Sequence, residues 1–295
     1  MTKSKSKIST PFSEAPTRGG RQLLASFGDH QELVRFSTES LLPDDSINEQ
    51  SNLIYRNFLE PVLIELPPDE SKHALKALRL KEGETLRVID SQLKLIAQGK
   101  LIVKSNVAFV ETYVVAKLIK NYPDIVIGIP ENKTAEACIE KLTEMGINSI
   151  TFFKGDYSQK SSSDFEKTEA RLLKKRDVAV KQSYSLNVPN INIKPNLVQA
   201  IQDLNCSNNQ LVTLFSPKDA EVIDQHQIKL ENLADIFTMG EKLQVLVVGP
   251  EGGFSLTELT HLLELKSRFL SLGPNTLRVE TAASLAIAAV NSIPF

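Results

Sequence analysis

Between residues 53 and 118 the apolar positions come in short runs broken by turn residues. Val62-Leu63-Ile64, Leu86-Arg87-Val88-Ile89, Lys94-Leu95-Ile96-Ala97, Val107-Ala108-Phe109-Val110 and Tyr113-Val114-Val115 are punctuated by Pro67-Pro68, Gly83 and Gly99. Short strands with turn signals between them predict a small β-barrel. One helix interrupts it: Asp69 or Ser71 can start it, and Ala74, Leu75 and Leu78 share one face. Residues 1–50 carry Ser, Gly and Asp punctuation and no long periodic run, so they are expected to be tail or linker.

After Pro123 the pattern changes. Residues 124–130 (DIVIGIP) read as a buried strand. Residues 132–145 read as a helix with Ala135, Cys138, Leu142 and Met145 on one face and Gly146 as its C-cap. Strands are expected at 149–153, 211–215, 243–248 and 269–272, and helices at 165–182, 255–265 and 279–293. Alternating strands and helices predict an α/β fold with a mostly parallel sheet covered on both faces. The expected layout is a tail over 1–50, a small barrel over 51–120 and an α/β domain over 121–295. The last helix leaves almost no polar face, from Ala282 through Leu285 and Ile287 to Ile293. Such a helix is buried on every side. It is expected to pack against a partner subunit as well as its own sheet, the alternative being a groove of its own domain.

Length and composition narrow the function classes. The chain has 295 residues, 41% of them hydrophobic, which supports a sizeable core and excludes a wholly disordered chain. Lys plus Arg number 34 and Asp plus Glu 36, a net charge of −2. That balance argues against a polybasic protein held on nucleic acid by bulk charge, though not against a local basic patch. The charge is uneven: residues 190–295 hold 7 basic and 11 acidic residues, while residues 61–118 hold 9 and 7. Cys138 and Cys206 stand alone without a CxxC, and the four histidines are scattered. A structural zinc site and a dedicated metal enzyme are therefore not expected, and a reduced, intracellular chain is.

No apolar stretch reaches the ~18 residues of a membrane span, so no membrane partner is expected. Residues 1–28 carry Lys3, Lys5, Lys7, Arg18 and Arg21 against Glu14 and are rich in Ser and Thr. They fit either a disordered basic tail or an organelle transit peptide. The expected location is the cytoplasm, or a chloroplast or mitochondrion in the second case.

Two loops carry the candidate chemistry. In Val247-Val248-Gly249-Pro250-Glu251-Gly252-Gly253-Phe254-Ser255 a buried strand ends in a glycine-rich loop, and a helix starts at Ser255. Ser255 and Glu258 have the spacing of a capping box. Glycines there let the backbone approach a ligand and turn its amides outward. In parallel α/β sheets ligands bind at such carboxyl ends of strands. The pattern is neither G-x-G-x-x-G nor a phosphate-binding GxxxxGK loop, which disfavours a dinucleotide dehydrogenase or an NTPase. In the second loop, Leu272-Gly273-Pro274-Asn275-Thr276-Leu277-Arg278-Val279-Glu280-Thr281, another short strand ends before another helix, with Arg278 and Glu280 at the helix entrance.

Together, GPEGGFS and the later LG-x-x-x-LR-x-ETA are similar to the RsmE family of ribosomal RNA methyltransferases, over about residues 53–295. Lys141, Glu144 and Gly146 resemble that family's K-x-x-E-x-G helix, with Lys133 as the basic residue before it. His73, Leu78, Arg79 and Gly83 resemble its N-terminal domain, and Gln182, Ser183 and Pro189 its QS…P segment. The resemblance implies a trefoil-knotted α/β domain of the SPOUT class behind a PUA-like RNA-binding barrel. It implies S-adenosylmethionine-dependent methylation of uracil N3 in 16S ribosomal RNA, with the small-subunit RNA or 30S particle as partner, no metal, and a homodimer. Carried over, the cofactor positions are Gly249, Glu251, Gly252, Gly253, Leu272, Gly273, Leu277 and Thr281. Arg278 and Glu280 become the catalytic pair, and Arg79, Lys133 and Lys141 contacts to RNA.

Uracil N3 carries a proton that must leave, so the chemistry needs a base within reach. Glu280 or Glu251 fits that role, and Arg278 can stabilise charge building on the uracil oxygens. Three family arginines have no counterpart: Asp156-Tyr157-Ser158 stands where the family has E-R-S, Ser185 or Leu186 replaces a second, and Asn275 a third. A non-catalytic RNA-binding protein on the same fold, or a methyltransferase retargeted to another RNA, is the competing reading. Cys138 reads as core. Lys174-Lys175-Arg176 reads as either a solvated helix face or an RNA contact.

Overall fold

The structure is a computed structural model that describes residues 21–27, 30–38, 45–48, 53–119, 122–158, 165–204, 211–216, 224–225, 227–232 and 245–291. Cys206, His226 and most of the stretch read as a transit peptide lie outside the described residues. The chain splits into two compact units, Met1–Lys120 and Asn121–Phe295. Among the described residues no helix is long and apolar enough to cross a membrane.

The first unit is built on strands β1 (Arg21–Leu24), β2 (Ser46–Asn48), β3 (Leu53–Glu65), β4 (Thr85–Asp90), β5 (Leu95–Lys104) and β6 (Val107–Leu118). They form one sheet in the order β1-β4-β5-β6-β3-β2. The two runs expected at 107–110 and 113–115 are one strand, because β6 pairs along its length with β3 and β5. Helix α2 (Pro68–Lys72) starts at Pro68, where a fixed φ suits the first turn, and continues as a π-type turn over His73–Ala77. Ala74 is buried, and Leu75 and Leu78 pack on the same core, as the spacing predicts.

The reading of residues 1–50 as tail or linker does not hold for the part described. Strand β1 runs parallel to β4, Arg21 opposite Leu86 through Leu24 opposite Ile89. Helix α1 (Gln31–Thr38) follows. Leu23, Phe27, Leu33 and Phe36 are buried in the core of this unit. The Phe27 amide donates to Asp90 Oδ2 at 2.5 Å. Arg56 on β3 lies 4.4 Å from the centre of the Phe36 ring and makes a two-pronged pair with Asp45, both bonds 2.9 Å. Four buried apolar side chains and a satisfied arginine outweigh the ordering of a segment that shows no periodicity by itself.

The second unit is a seven-stranded, all-parallel sheet of β7 (Asp124–Gly128), β8 (Ser149–Phe153), β9 (Asn190–Lys194), β10 (Leu211–Phe215), β11 (Leu230–Glu231), β12 (Val245–Val248) and β13 (Arg268–Ser271). The order is β11-β13-β10-β12-β7-β8-β9. Helices α3 (Asn132–Met145), α4 (Phe165–Ser183), α5 (Leu197–Gln202), α6 (Leu256–Glu264) and α7 (Val279–Asn291) cover it. Alternation along each strand feeds two cores. Ile125, Ile127, Phe152, Val212, Leu214, Leu246 and Val248 join α3 and α7, while Val126, Phe153, Leu211, Val245 and Val247 join α5 and α6. Burial on both faces is why these strands read as unbroken apolar runs.

Helix α7 is buried on one side only, through Val279, Ala283, Ala286, Ile287 and Val290. Its other side exposes Leu285 to 40%, which does not fit the alternative of burial in a groove of its own domain. Near its end the Asn291 side-chain amide donates to the carbonyls of Met145 and Gly146 at 2.7 and 2.8 Å, tying α7 to the end of α3.

Candidate active site

The GPEGGFS loop leaves β12 and runs past the end of its neighbour β7 toward the loop that follows β8. Pro250 fills that gap: a Cβ added at Gly128 would lie 2.5 Å from Pro250 Cδ, and one at Gly155 2.9 Å from Pro250 Cγ. Both glycines are therefore required by close approach, not by their own dihedrals. Gly253 closes the loop with φ +81 and donates its amide to the Pro250 carbonyl at 2.9 Å. Phe254 tucks back under Gly249, with ring carbons 3.0–3.2 Å from where a Cβ would stand.

The capping box expected at Ser255 is present. Ser255 Oγ accepts from the Glu258 amide at 3.2 Å, and Glu258 Oε2 accepts from the Ser255 amide at 2.8 Å. The same pair reaches the loop after β8. Glu258 Oε1 accepts from the Asp156 amide at 3.2 Å, and Ser255 Oγ donates to Asp156 Oδ2 at 2.5 Å. Burial pushes the Glu258 carboxyl above its ordinary value, against the pull of those amide donors.

The second loop leaves β13. Strand β10 stands between β12 and β13, so the loops that follow the two flanking strands meet beyond its carboxyl end. There they enclose a cavity of about 490 Å³, within the range of small-molecule sites. Gly249, Glu251, Gly253, Leu272, Gly273, Leu277, Arg278 and Glu280 of the expected set line it. Gly252 and Thr281 are not on its wall. Gly252 instead faces Tyr157, whose Cβ lies 2.7 Å from where a Cβ at Gly252 would stand. Thr281 is exposed, and its amide donates to the Arg278 carbonyl at 3.0 Å in the first turn of α7. The wall also includes Leu214, Phe215 and Ser216 at the end of β10, and Glu131 and Thr134 at the start of α3. The apolar run 211–215 predicts the strand, but nothing local marks its last residues as site residues.

Glu280 is the distinctive group. Its Oε2 is buried and has no hydrogen-bond partner among the described residues. An unpaired carboxylate oxygen on a cavity wall is poised to accept a bond from whatever enters. Arg278, two residues earlier, is exposed on the same wall. Beneath them Cys138 on α3 is fully buried, and burial first, then the Glu280 charge, pushes its thiol up to about 12. It is an inert core residue.

None of the expected RNA contacts is on the cavity wall. Lys133 and Lys141 are exposed on α3, and Arg79 belongs to the first unit, with φ +53 just after the π-type turn. Of the cluster at 174–176, Lys175 pairs with Glu140 at 2.6 Å and Arg176 with Asp177 at 2.7 Å, so two of its three cations are spent within the protein. Among the described residues no group of three or more His, Cys, Asp or Glu gathers as a metal site.

A family model described as an RNA methyltransferase domain matches residues 120–291. The chain is 30% identical to the ribosomal RNA small subunit methyltransferase E of Rickettsia conorii, over 81% of this chain and 94% of that protein. It is 28% identical to the protein of that name from Mesomycoplasma hyopneumoniae, over 71% of this chain and 86% of that protein. Its fold matches the crystal structure of the Neisseria gonorrhoeae ribosomal RNA small subunit methyltransferase E bound to S-adenosyl methionine, with a TM-score of 0.66 at 20% identity, covering 92% of this chain and 97% of that one. With the domain filling its second unit and relatives spanning most of its length, the chain belongs to the ribosomal RNA small subunit methyltransferase E family.

Proposed function

We propose that this protein transfers the methyl group of S-adenosylmethionine to N3 of a uracil in 16S ribosomal RNA. One observation carries the reading: both glycine loops enclose a single cavity, and Glu280 presents a buried, unpaired carboxylate oxygen into its wall beside Arg278. The cofactor supplies a methyl group already activated on a sulfonium, so no metal is required. The cavity suits a nucleoside-sized cofactor. Leu214, Phe215, Val248 and Leu272 offer apolar walls, and the backbone of Gly249, Gly253 and Gly273 offers polar groups with no side chain in the way.

Within that frame the chain's own residues do three things. The loop backbones fix the geometry of transfer, which is the larger part of catalysis when the reacting group is already activated. Glu280 accepts the N3 proton as the N–C bond forms. Arg278 stabilises the charge that spreads to the uracil oxygens. We further read the second unit as the knotted SPOUT domain and the first as a PUA-like RNA-binding barrel, supported by the all-parallel sheet of the second unit and the mostly antiparallel sheet of the first. A homodimer is supported by the apolar Leu285 and Met145, exposed at 40% and 39% on elements that Asn291 ties together. The setting is ribosome assembly in the cytoplasm, or in an organelle if the residues before β1 act as a transit peptide; the expected segment 1–28 is too long for that, because β1 and Phe27 belong to the folded core.

The test is transfer of labelled methyl to 30S particles that lack the modification. Glu280→Gln is expected to lower the rate by about 10²–10⁴-fold, the range of a lost general base, while cofactor binding by titration persists. Arg278→Ala lowers it too. Full rates in both variants would falsify the assignment. A fall in Glu251→Gln with none in Glu280→Gln would move the base to Glu251. A chain that binds no S-adenosylmethionine is a non-catalytic relative.

A further inference from the structure

Tyr157 stands out among the exposed apolar side chains for where it is and how it is held. It is 57% exposed, yet its Cβ and backbone sit against Gly252, between the cavity-lining Glu251 and Gly253. The short segment that carries it is pinned on both sides. Before it, the Asp156 amide donates to Glu258 Oε1 and the Asp156 carboxylate accepts from Ser255 Oγ. After it, Ser158 exchanges two bonds with Gly155: amide to carbonyl at 2.9 Å, and Oγ accepting from the Gly155 amide at 3.0 Å. The result is an aromatic face that is open to solvent and cannot swing away with its backbone. Leu256, the residue after Ser255, is also exposed, at 56%.

The charge around this face selects its occupant. Asp156 and Glu251 are exposed acids, and Glu258 lies beneath them. A phosphate is repelled there, whereas the π-face of a nucleobase is not. Stacking on an aromatic needs no cation and tolerates any base. We infer that Tyr157 is a positioning residue that stacks a base of single-stranded RNA beside the cofactor loop, so that the RNA is held there by a base and not by its backbone. The inference rests on the reading of the chain as an enzyme acting on RNA.

The experiment is fluorescence-anisotropy titration of labelled single-stranded oligouridylate, with an RNA duplex as comparator. Tyr157→Leu keeps the Cβ and Cγ that pack on Gly252 but removes the ring. It is expected to weaken binding of the single strand by roughly 5- to 100-fold, one stacked base at tenfold per 1.4 kcal/mol. Binding of the duplex, whose bases are not free to stack, is unchanged, as are thermal stability and S-adenosylmethionine affinity. Tyr157→Phe and Tyr157→Trp retain single-strand binding, which a hydroxyl-mediated role would not allow, and the unchanged thermal stability of Tyr157→Leu separates stacking from a merely structural role. Equal binding by wild type and Tyr157→Leu overturns the inference alone and leaves the patch as a protein contact. Wild type that binds neither RNA overturns the inference together with the reading it rests on.

Discussion

The two loops that enclose the cavity look alike on paper, each a strand end followed by glycine and proline, yet they are held by different physics. The GPEGGFS loop is clamped by packing. Pro250 is wedged against Gly128 and Gly155, Gly252 against Tyr157, and Gly249 against Phe254, while the capping box locks the exit. The loop after β13 is open. Gly273 has nothing within 4 Å of where a Cβ would stand, and residues 273–276 are all exposed. Its glycine answers only to a φ of +116. The cavity therefore has one wall that belongs to the core and one that does not. Mutations in the first act through the fold, and mutations in the second act through the ligand.

The sharpest way to break this comparison is Gly128→Ala. One methyl group would enter the space of the Pro250 ring and backbone, which cannot move without displacing the whole loop. The expected loss is about 3 kcal/mol, the upper end of overpacking effects, seen as a lower unfolding midpoint in urea with or without cofactor. A midpoint equal to wild type would mean that the first loop is not clamped. Gly273→Ala probes the other wall. It meets no atom, so only the left-handed backbone resists it, at about 1–2 kcal/mol. Because the residue lines the cavity, its S-adenosylmethionine affinity is expected to fall by more than its stability suggests. Equal losses in stability for the two alanine variants would erase the distinction.

The same contrast separates what the sequence discloses from what it hides. The capping box was readable because Ser255 and Glu258 are three residues apart and their pairing is local. Five of the seven strands described in the second unit were readable because burial on both faces leaves mostly apolar runs, whereas β9 alternates polar and apolar positions and β11 has only two residues. Gly128 and Gly155 were not readable as packing partners of the loop: their reason is a proline 122 and 95 positions away (250 − 128 and 250 − 155), and only the sheet order brings the three together. Residues 21–48 failed for a related reason. A four-residue strand has too few positions to show a period, and its partner β4 begins at Thr85. Phe36 and Asp45 acquire meaning only when Arg56 lies between them. Of the residues that line the cavity, the two loops and the Arg278–Glu280 pair were legible, while the contribution of β10 and the packing of Gly252 against Tyr157 were not.

The smallest effect is the most diagnostic of how the first loop is locked. Glu258 is only 7% exposed, and burial raises its carboxyl above the ordinary value of 4.5. The folded chain therefore holds this proton more tightly than the unfolded chain. Linkage then gives the sign: the stability from this group is complete below pH 4.5 and is lost as pH rises through the raised folded-state value. Glu258→Gln cannot titrate, yet keeps an acceptor for the Ser255 amide. Unfolding free energies of the two proteins, measured against pH, are expected to differ most in wild type's favour at acid pH. The difference shrinks as pH rises and levels off above the transition. A difference that grows with pH would mean that the amide donors of Ser255 and Asp156 outweigh burial, and that the lock depends on a charged rather than a buried carboxylate. Because Asp156 precedes Tyr157, the same titration reports on the segment that holds the ring in place.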